Sequence, residues 1–175
     1  MNITIKNSRT IFQGDIFDVR IDSIRQDDLE YDRDIVIHPG SAVIVPLFDD
    51  LTVALVRQYR HAAGQYLLEL PAGTLEKGEA PEEAAARELE EEIGWRAGKI
   101  EKLSSFFVSP GFLSEEMHLF LAQNLTESIQ NLDEDEAITF ERLPLTNAIL
   151  MAASGQLRDA KTIAGLFLAA KKLEI

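Results

Sequence analysis

The chain has 175 residues, of which 46% are hydrophobic and 27% charged, and it carries a formal net charge of −13 with no cysteine. That length suits one packed domain with room for a small appended element. The absence of cysteine excludes disulfides and thiolate zinc sites. The negative net charge argues against nucleic acid or an anionic membrane as a partner. Because no apolar run approaches the roughly 18 residues of a membrane-spanning helix and the start MNITIKNSRT lacks a secretion signal pattern, we expect a cytoplasmic protein.

The N-terminal region predicts antiparallel β-strands. Apolar and polar residues alternate in short stretches over 10–24 and 30–38, and the polar turn RQDD separates them. A change in composition near residue 40 suggests a boundary, which divides the chain into an N-terminal β-strand region, 1–40, and a main domain, 41–175.

Three apolar segments in the middle of the chain predict further strands. Segments 41–48 and 52–59 flank Asp49 and Asp50, which favours a β-hairpin. Segment 66–70 is a short strand candidate that ends before a proline.

The first helix is predicted over 81–93, because Pro81 suits a first helical turn and Gly94 suits the left-handed position just past a helix end. Later periodicities predict three strands and two helices, at 100–109, 117–123, 137–143, 145–155 and 160–173. This order predicts an α+β fold in which a mixed β-sheet lies between helices, preceded by an antiparallel β element.

Glutamate is concentrated around the first helix. Eight glutamates lie between residues 76 and 92, and four of them fall in the last turns of the helix. That end is the negative pole of the helix dipole, where a carboxylate is unfavourable by roughly 0.3–1 kcal/mol. Glu88 and Glu92 also form a like-charge i,i+4 pair, which costs about 0.2–0.5 kcal/mol. Such a departure from local preference is typical of a functional site, and a bound divalent cation would offset it.

Helical geometry separates these acids by face. Leu89 and Ile93 lie on an apolar stripe that faces the core, whereas Glu88, Glu91 and Glu92 share an adjoining stripe and can converge on one point. Charged oxygen ligands suit Mg²⁺, Mn²⁺ or Ca²⁺ rather than zinc, and a helix is not the loop that an EF-hand uses. The alternative is a solvated acidic face that binds nothing.

The spacing of glycines and charges is more specific than the acidic run. In GTLEKGEAPEEAAARELEEEIGW the characteristic positions are Gly73, Glu79, Arg87, Glu88, Leu89, Glu91, Glu92, Gly94 and the apolar Trp95. This stretch resembles the Nudix box, the signature of hydrolases that cleave a nucleoside diphosphate linked to another moiety, and it fills every fixed position. The resemblance implies the α/β/α layered Nudix fold and hydrolysis of a pyrophosphate bond.

The same resemblance assigns roles within the box. Glu88 and Glu92 are expected to be metal ligands, Glu91 a third ligand or a catalytic water-positioning carboxylate, and Ala72 a ligand through its backbone carbonyl. Four residues are expected to be structural: Gly73, Glu79, Arg87 and Gly94. The expected cofactor is Mg²⁺, with Mn²⁺ as a substitute, since divalent ions neutralise a pyrophosphate and activate water.

A general base is expected after the box. In several Nudix enzymes that act on diphosphate sugars it is a glutamate on a loop just before a late strand. The matching segment here is LDEDEAITF, in which Glu136 is the first candidate and Glu134 the second.

Features outside the box resemble the ADP-ribose pyrophosphatase branch. VRQYR at 56–60 precedes ELPAG at 69–73, Pro110 lies 15 residues past Trp95, and 143–166 is similar to the C-terminal helices of that branch. The resemblance implies hydrolysis of ADP-ribose to AMP and ribose 5-phosphate. It also implies a homodimer in which the N-terminal strands are exchanged.

Substrate-binding residues are expected outside the helix. Arg60 is a candidate for a phosphate or the terminal ribose, because a guanidinium can bind phosphate oxygens with two hydrogen bonds, and Glu69 is a candidate for a sugar hydroxyl. Gly111 and Phe112 are expected on the sugar side. Adenine needs an aromatic or apolar face, for which the candidates are Phe12, Phe17 and Tyr31. The structural alternative is that Arg60 pairs with a surface acid and that the aromatic residues belong to the core.

Two hypotheses compete with ADP-ribose hydrolysis. One keeps the mechanism and changes the substrate to GDP-mannose or another nucleotide sugar. The other is a catalytically silent Nudix protein that only binds a nucleotide. The presence of Glu88, Glu91 and Glu92 favours an enzyme, while residues outside the box decide which nucleoside diphosphate derivative it accepts.

Overall fold

The computed structural model describes residues 2–132 and 137–175. These residues form two compact units. The first unit contains residues 2–40 and 106–117, and the second contains 41–105 and 118–175.

The first unit is built on an antiparallel sheet with the strand order β1-β2-β3. Its strands are β1 (Ile3–Gln13), β2 (Asp18–Gln26) and β3 (Leu29–Ile37). The predicted antiparallel strands are confirmed, and within the range 10–24 a turn separates β1 from β2, in which Gly14 N–H donates to the Phe17 carbonyl (3.2 Å). The predicted RQDD turn is confirmed, and Asp27 adopts a positive φ of 53° there.

The segment 106–117 is attached to β3. Val36 pairs with Leu113 in an isolated parallel bridge; Val36 N–H donates to the Phe112 carbonyl (2.7 Å) and Ser114 N–H donates to the Val36 carbonyl (2.9 Å). On the other side of the sheet, β1 is an edge strand whose residues are all exposed.

The remaining chain alternates strands and helices. The strands are β4 (Ser41–Pro46), β5 (Thr52–Arg60), β6 (Gln65–Glu69), β7 (Ala72–Thr74), β8 (Trp95–Phe107), β9 (Glu116–Glu127) and β10 (Thr139–Pro144). The helices are α1 (Pro81–Ile93), α2 (Leu145–Ala153) and α3 (Ala160–Leu173), and a 3-10 turn spans His61–Ala63. The strands form two sheets, ordered β10-β5-β6 and β7-β4-β9-β8.

Strand β4 is buried along its whole length and separates two helical layers. Ala42 and Ile44 belong to an apolar cluster with Leu89 of α1. On the opposite face, Val45 lies 3.5 Å from the position that a Cβ on Gly165 of α3 would take. Because successive side chains of a strand point to opposite faces, α1 and α3 cover the two sides of this sheet, and the predicted α+β fold with α/β/α layering is confirmed.

The predicted hairpin of β4 and β5 forms only at its tip. Leu47 and Val53 pair as an isolated bridge, and Phe48 N–H donates to the Thr52 carbonyl (2.9 Å), but the two strands then enter different sheets. Strand β4 ends at Pro46, which has no N–H with which to continue a ladder.

The helix predictions are more accurate. Helices α1 and α3 span the predicted ranges, and α2 ends at Ala153 instead of residue 155. None of the helices in the two described stretches is both long and apolar enough to cross a membrane.

Candidate active site

Local structure fixes both ends of α1, which carries the acidic residues. At its start, the Glu83 carboxylate accepts a hydrogen bond from Ala80 N–H (3.2 Å). At its end, Gly94 adopts a left-handed φ of 71° and its N–H donates to the Glu90 carbonyl (2.9 Å). A Cβ on Gly94 would also lie 2.9 Å from the backbone nitrogen of Gln130. Glycine is therefore required at 94 by conformation and by space.

The segment 128–131 satisfies the last carbonyls of α1. Ser128 N–H donates to the Gly94 carbonyl (2.7 Å) and Asn131 N–H to the Glu91 carbonyl (3.1 Å). The side chain of Gln130 donates to the Glu92 carbonyl (2.5 Å). These donors face the negative pole of the helix dipole, and they reduce the electrostatic cost of placing glutamates there.

The Glu88 carboxylate occupies the space beside Gly73. Glu88 is only 8% exposed, and a Cβ on Gly73 would lie 1.8 Å from Glu88 Oε1 and 2.1 Å from its Cδ. Gly73 is not among the residues with a positive φ. The requirement for glycine here is therefore steric: the carboxylate of α1 can approach β7 only where β7 has no side chain.

Glu92 is the second buried carboxylate on this face. It is 2% exposed, and its Oε2 accepts a hydrogen bond from Ala72 N–H (3.2 Å). Burying a carboxylate is costly unless charge or hydrogen bonds compensate for the lost hydration. Two buried carboxylates, Glu88 and Glu92, thus lie one helical turn apart at the α1–β7 junction.

Arg87 connects the parts of the box. Its Nε and Nη2 donate to the two oxygens of Glu79 (2.9 and 3.0 Å), and its Nη1 donates to Glu88 Oε1 (2.7 Å) and Glu91 Oε2 (2.9 Å). A further bond to the Thr74 carbonyl (3.3 Å) ties it to β7. The hydrogen bonds to Glu79 raise the pKa of Arg87 against the opposing effect of burial, and Arg87 lowers the pKa of Glu79. These contacts support the structural roles expected for Arg87 and Glu79.

The donor set at this junction fits a hard divalent cation. Glu88 and Glu92 offer buried carboxylate oxygens, Glu91 is about one-third exposed beside them, and Ala72 is in direct contact with Glu92. Only oxygen donors are present, as Mg²⁺ prefers. Within residues 2–132 and 137–175, however, no three acidic or histidine side chains gather around one point as metal ligands do. Glu88 and Glu91 instead share the Nη1 of Arg87, so the convergence expected for the three carboxylates is not seen in this arrangement.

Arg60, the last residue of β5, and Glu69, the last residue of β6, form a second charged group. The Nε and Nη2 of Arg60 donate to the two carboxylate oxygens of Glu69 (2.9 and 2.8 Å). Glu69 is 1% exposed, and Lys161 of α3 also contacts its Oε2. Burial alone would raise the pKa of Glu69, but the hydrogen bond from Arg60 and the charge of Lys161 outweigh it and hold the pKa below its usual range. Both oxygens of Glu69 are thus engaged by cations, whereas the sequence suggested a sugar hydroxyl.

Comparison with known proteins decides the family. Residues 38–166 match the model of the NUDIX domain. The chain belongs to the Nudix family. It is 39% identical to the ADP-ribose pyrophosphatase of Bacillus subtilis (strain 168) over 155 residues, which cover 87% of this chain and 84% of that protein.

Two further similarities extend this result. The chain is 36% identical to the GDP-mannose pyrophosphatase of Citrobacter koseri (strain ATCC BAA-895 / CDC 4225-83 / SGSC4696), over 81% of this chain and 76% of that protein. A crystal structure of an ADP compounds hydrolase superposes with a TM-score of 0.88 and 27% identity, and the match covers 99% of this chain and 95% of that one. This Nudix protein is a hydrolase of pyrophosphate bonds, as the box predicts, and its likeness to the ADP-ribose pyrophosphatase branch is confirmed.

In the first unit of this Nudix hydrolase, Gly111 and Phe112 line a cavity of about 510 Å³. Its lining residues are Arg20, Arg33, Ile35, Ile37, Phe107, Pro110, Gly111, Phe112, Leu113 and Ser114. Arg20 is oriented by the fully buried Asp22, whose Oδ2 accepts from Arg20 Nη2 (2.8 Å). An apolar cavity with two guanidinium groups suits a molecule that has both a flat apolar face and anionic groups. The sequence did not single out Arg20 or Arg33, because a lone arginine within a strand carries no distinguishing pattern.

The other predicted residues lie elsewhere. Phe17 packs against Phe12 with ring centroids 6.0 Å apart, and the Tyr31 hydroxyl donates to the side chain of Gln26 (2.8 Å). Neither Phe17 nor Tyr31 lines the 510 Å³ cavity. The general-base candidates Glu134 and Glu136 lie outside the described residues.

Proposed function

We propose that this Nudix hydrolase cleaves the pyrophosphate bond of ADP-ribose to give AMP and ribose 5-phosphate. The observation that carries the proposal lies in the second unit: the buried Glu92 carboxylate accepts a hydrogen bond from Ala72 N–H (3.2 Å). The pKa of Arg60 is raised chiefly by its hydrogen bonds to Glu69 and to a smaller extent by the charge of Glu92. The carboxylates that we propose as metal ligands and the guanidinium that we propose to bind a phosphate belong to the same unit. The 39% identity to an ADP-ribose pyrophosphatase supports the choice of substrate.

The cation site is assigned to Glu88, Glu92 and the carbonyl of Ala72, with Glu91 as the fourth participant. Mg²⁺, or Mn²⁺ in its place, supplies charge neutralisation at the pyrophosphate and lowers the pKa of water. Glu91 is the most exposed of the three carboxylates, and its catalytic role is to orient the attacking water. Arg87 holds the carboxylates of Glu88 and Glu91 side by side, because its Nη1 donates to both.

Arg60 binds a phosphate of the substrate. Its side chain is 40% exposed, and Glu69 fixes its orientation with two parallel hydrogen bonds. A guanidinium that is held in this way loses little further entropy when it binds a phosphate.

Glu136 is the proposed general base, with Glu134 as the second candidate. Two residues that flank this segment support the assignment, because Leu132 packs against the apolar cluster that contains Leu89 of α1, and Ile138 belongs to it. The base accepts the proton of the water that attacks phosphorus. Glu136→Gln should lower kcat by about 10²–10⁴-fold with little effect on KM, and a larger loss in Glu134→Gln would reverse the assignment.

Roles in substrate binding and in a homodimer are also proposed for residues of the first unit. Gly111 and Phe112 are assigned to the sugar side, and Phe17 and Tyr31 remain the N-terminal candidates for the adenine. Dimerisation through region 1–40 is supported by the exposed edge strand β1, whose Ile5 is 58% exposed, since an exposed apolar edge is a pairing surface. Sedimentation of Ile5→Lys, with Leu150→Lys as a control on α2, tests this: a monomer is expected only for the first variant.

A substrate panel tests the reaction. ADP-ribose, GDP-mannose, other nucleotide sugars and dinucleoside polyphosphates are incubated with Mg²⁺ and then with Mn²⁺, and the products are separated by chromatography. We expect AMP and ribose 5-phosphate from ADP-ribose, and no turnover in the presence of a chelator. Good cleavage of GDP-mannose without turnover of ADP-ribose would replace the proposed substrate, and inactivity on the whole panel would favour a silent nucleotide-binding protein.

A further inference from the structure

Lys161 lies where α3 meets the Arg60–Glu69 pair, and the reaction described above gives it no role. Its side chain is 10% exposed. The ammonium contacts Glu69 Oε2 and lies 3.1 Å from Asp159 Oδ1. Because a buried ammonium is costly unless it is paired, these two carboxylates determine where it rests.

The backbone around Lys161 is fixed independently of its side chain. Asp159 caps α3, and its Oδ2 accepts from the N–H and the hydroxyl of Thr162 (2.9 and 2.6 Å). The Thr162 hydroxyl oxygen in turn accepts from Leu70 N–H (2.7 Å). The first turn of α3 is therefore tied to the residue that follows Glu69, and the ammonium of Lys161 has a defined position relative to the Glu69 carboxylate.

Lys161 changes the charge of the group as well as its geometry. A carboxylate paired with a single guanidinium cancels its charge, so Arg60 and Glu69 alone would form a neutral pair. With Lys161 added, the three side chains carry one net positive charge. Asp159 reduces this charge, because the N-terminal dipole of α3 offsets only roughly half of its negative charge. A site for a phosphate needs that surplus positive charge.

Among the residues that the structure describes, none hydrogen-bonds to one edge of the Arg60 guanidinium. Its Nε and Nη2 are used by Glu69, and its Nη1 makes no hydrogen bond to any residue of 2–132 or 137–175. The guanidinium is partly exposed and lies within the electrostatic reach of Glu92. A rotation of the Glu69 carboxylate would rotate this free edge with it, because the two groups are joined by two parallel bonds.

We propose that Lys161 is a positioning residue for pyrophosphate cleavage: its ammonium holds the Glu69 carboxylate in the orientation that presents the free edge of Arg60 to a phosphate of the substrate. The inference rests on the proposed function only in requiring a phosphate near Glu92. It therefore applies equally to ADP-ribose and to GDP-mannose. Lys161 itself does not touch the substrate.

The test compares three variants of helix α3. Lys161→Met keeps the length of the side chain and removes its charge, and we expect KM to rise by about 10–100-fold. The change in kcat should stay within about threefold, because Arg60 binds the phosphate in the ground state and in the transition state alike. Lys161→Arg keeps a cation and should recover most of the loss in KM. Lys171→Met, at an exposed position of the same helix, should leave both constants unchanged.

The split between KM and kcat separates positioning from simple structural support. A variant that only unfolds more easily has fewer active molecules, which lowers the apparent kcat and leaves KM unchanged. In an Arg60→Gln background, Lys161→Met should cause no further rise in KM, because both changes remove the same interaction. Additive effects of the two substitutions on KM would overturn the inference.

A second variant keeps the test decisive if Lys161→Met does not fold. Glu69→Gln combined with Lys161→Met removes both buried charges, so that neither is left without the other. Arg60 loses its carboxylate partner but is 40% exposed to solvent, and we expect the same high KM. If any folded variant that lacks the Lys161 ammonium has the KM of the wild type, Lys161 is not a positioning residue, and the proposed function is unaffected. A wild-type protein that cleaves no nucleotide sugar overturns both.

Discussion

Replacing Gly73 by alanine tests whether glycine is required at this position because a side chain there would occupy the space of the Glu88 carboxylate. The added Cβ would lie 1.8 Å from Glu88 Oε1, 2.1 Å from Cδ and 2.6 Å from Oε2. No backbone strain complicates the change, because Gly73 does not adopt a positive φ. The atom that must yield is the end of a flexible side chain, so the carboxylate is displaced and β7 stays in place.

The size of the effect follows from that displacement. Moving Oε1 from 1.8 Å to an ordinary contact at 3.4 Å is a shift of about 1.6 Å. A misplacement of about 1 Å in a catalytic constellation costs roughly 10²-fold in rate, which corresponds to about 2.7 kcal/mol of activation free energy. The free energy of unfolding should fall by no more than the roughly 1–3 kcal/mol typical of an overpacked site.

The assay is the initial rate of ADP-ribose hydrolysis over a Mg²⁺ titration. Gly73→Ala should lower kcat/KM by about 10²-fold or more and shift half-saturation to higher Mg²⁺, with thermal unfolding recorded in parallel. Gly155→Ala is the matched control: its φ of 78° strains the backbone, but no atom lies within 4 Å of the new Cβ, so it should cost stability and leave kcat/KM unchanged. If Gly73→Ala keeps kcat/KM within about twofold of the wild type, the steric argument for the Glu88 site is wrong.

Three further predictions concern α1 and its loop. Glu92→Gln should lower kcat by more than about 100-fold while the fold is retained, and Mg²⁺ should no longer raise the melting temperature as binding to the native state requires; near-wild-type turnover would remove Glu92 from the ligand set. Gly94→Ala should lower the free energy of unfolding in urea by about 1–3 kcal/mol, because a left-handed φ of 71° and a 2.9 Å contact with Gln130 both oppose a side chain; an unchanged midpoint would contradict this. The hydrogen bonds from Arg87 hold the folded pKa of Glu79 below its ordinary value of 4.5, so its contribution to stability is complete above pH 4.5 and is lost as the pH falls through the lowered pKa; Glu79→Gln should flatten the pH dependence of urea unfolding below 4.5, and a slope equal to that of the wild type would show that the pair contributes nothing.

Helices whose ends are marked by nearby residues were predicted well, whereas the pairing of strands that are distant in sequence was not. Helix α1 follows from its first-turn proline and the glycine past its end, and its bounds are correct. Strands β4 and β5 are also correct as strands, but their pairing with each other fails after the bridge between Leu47 and Val53. Two consecutive strands most simply form a hairpin. Here β4 pairs with β7 and β9, and β5 pairs with β10 and β6. A short window of sequence does not include these partner strands and therefore cannot predict the pairing.

The sequence by itself determined the family, the chemistry of the box and the face of α1 that carries Glu88, Glu91 and Glu92, because spacing along a helix fixes which side chains are neighbours. Only the tertiary structure decided that Arg87 holds two of these glutamates together and that Lys161 meets Glu69 from 92 positions away. The physical reason is that a buried charge must find its partner in space. The partner belongs to whichever element packs beside the buried charge. Because that element can be distant in sequence, no pattern near the buried residue predicts it.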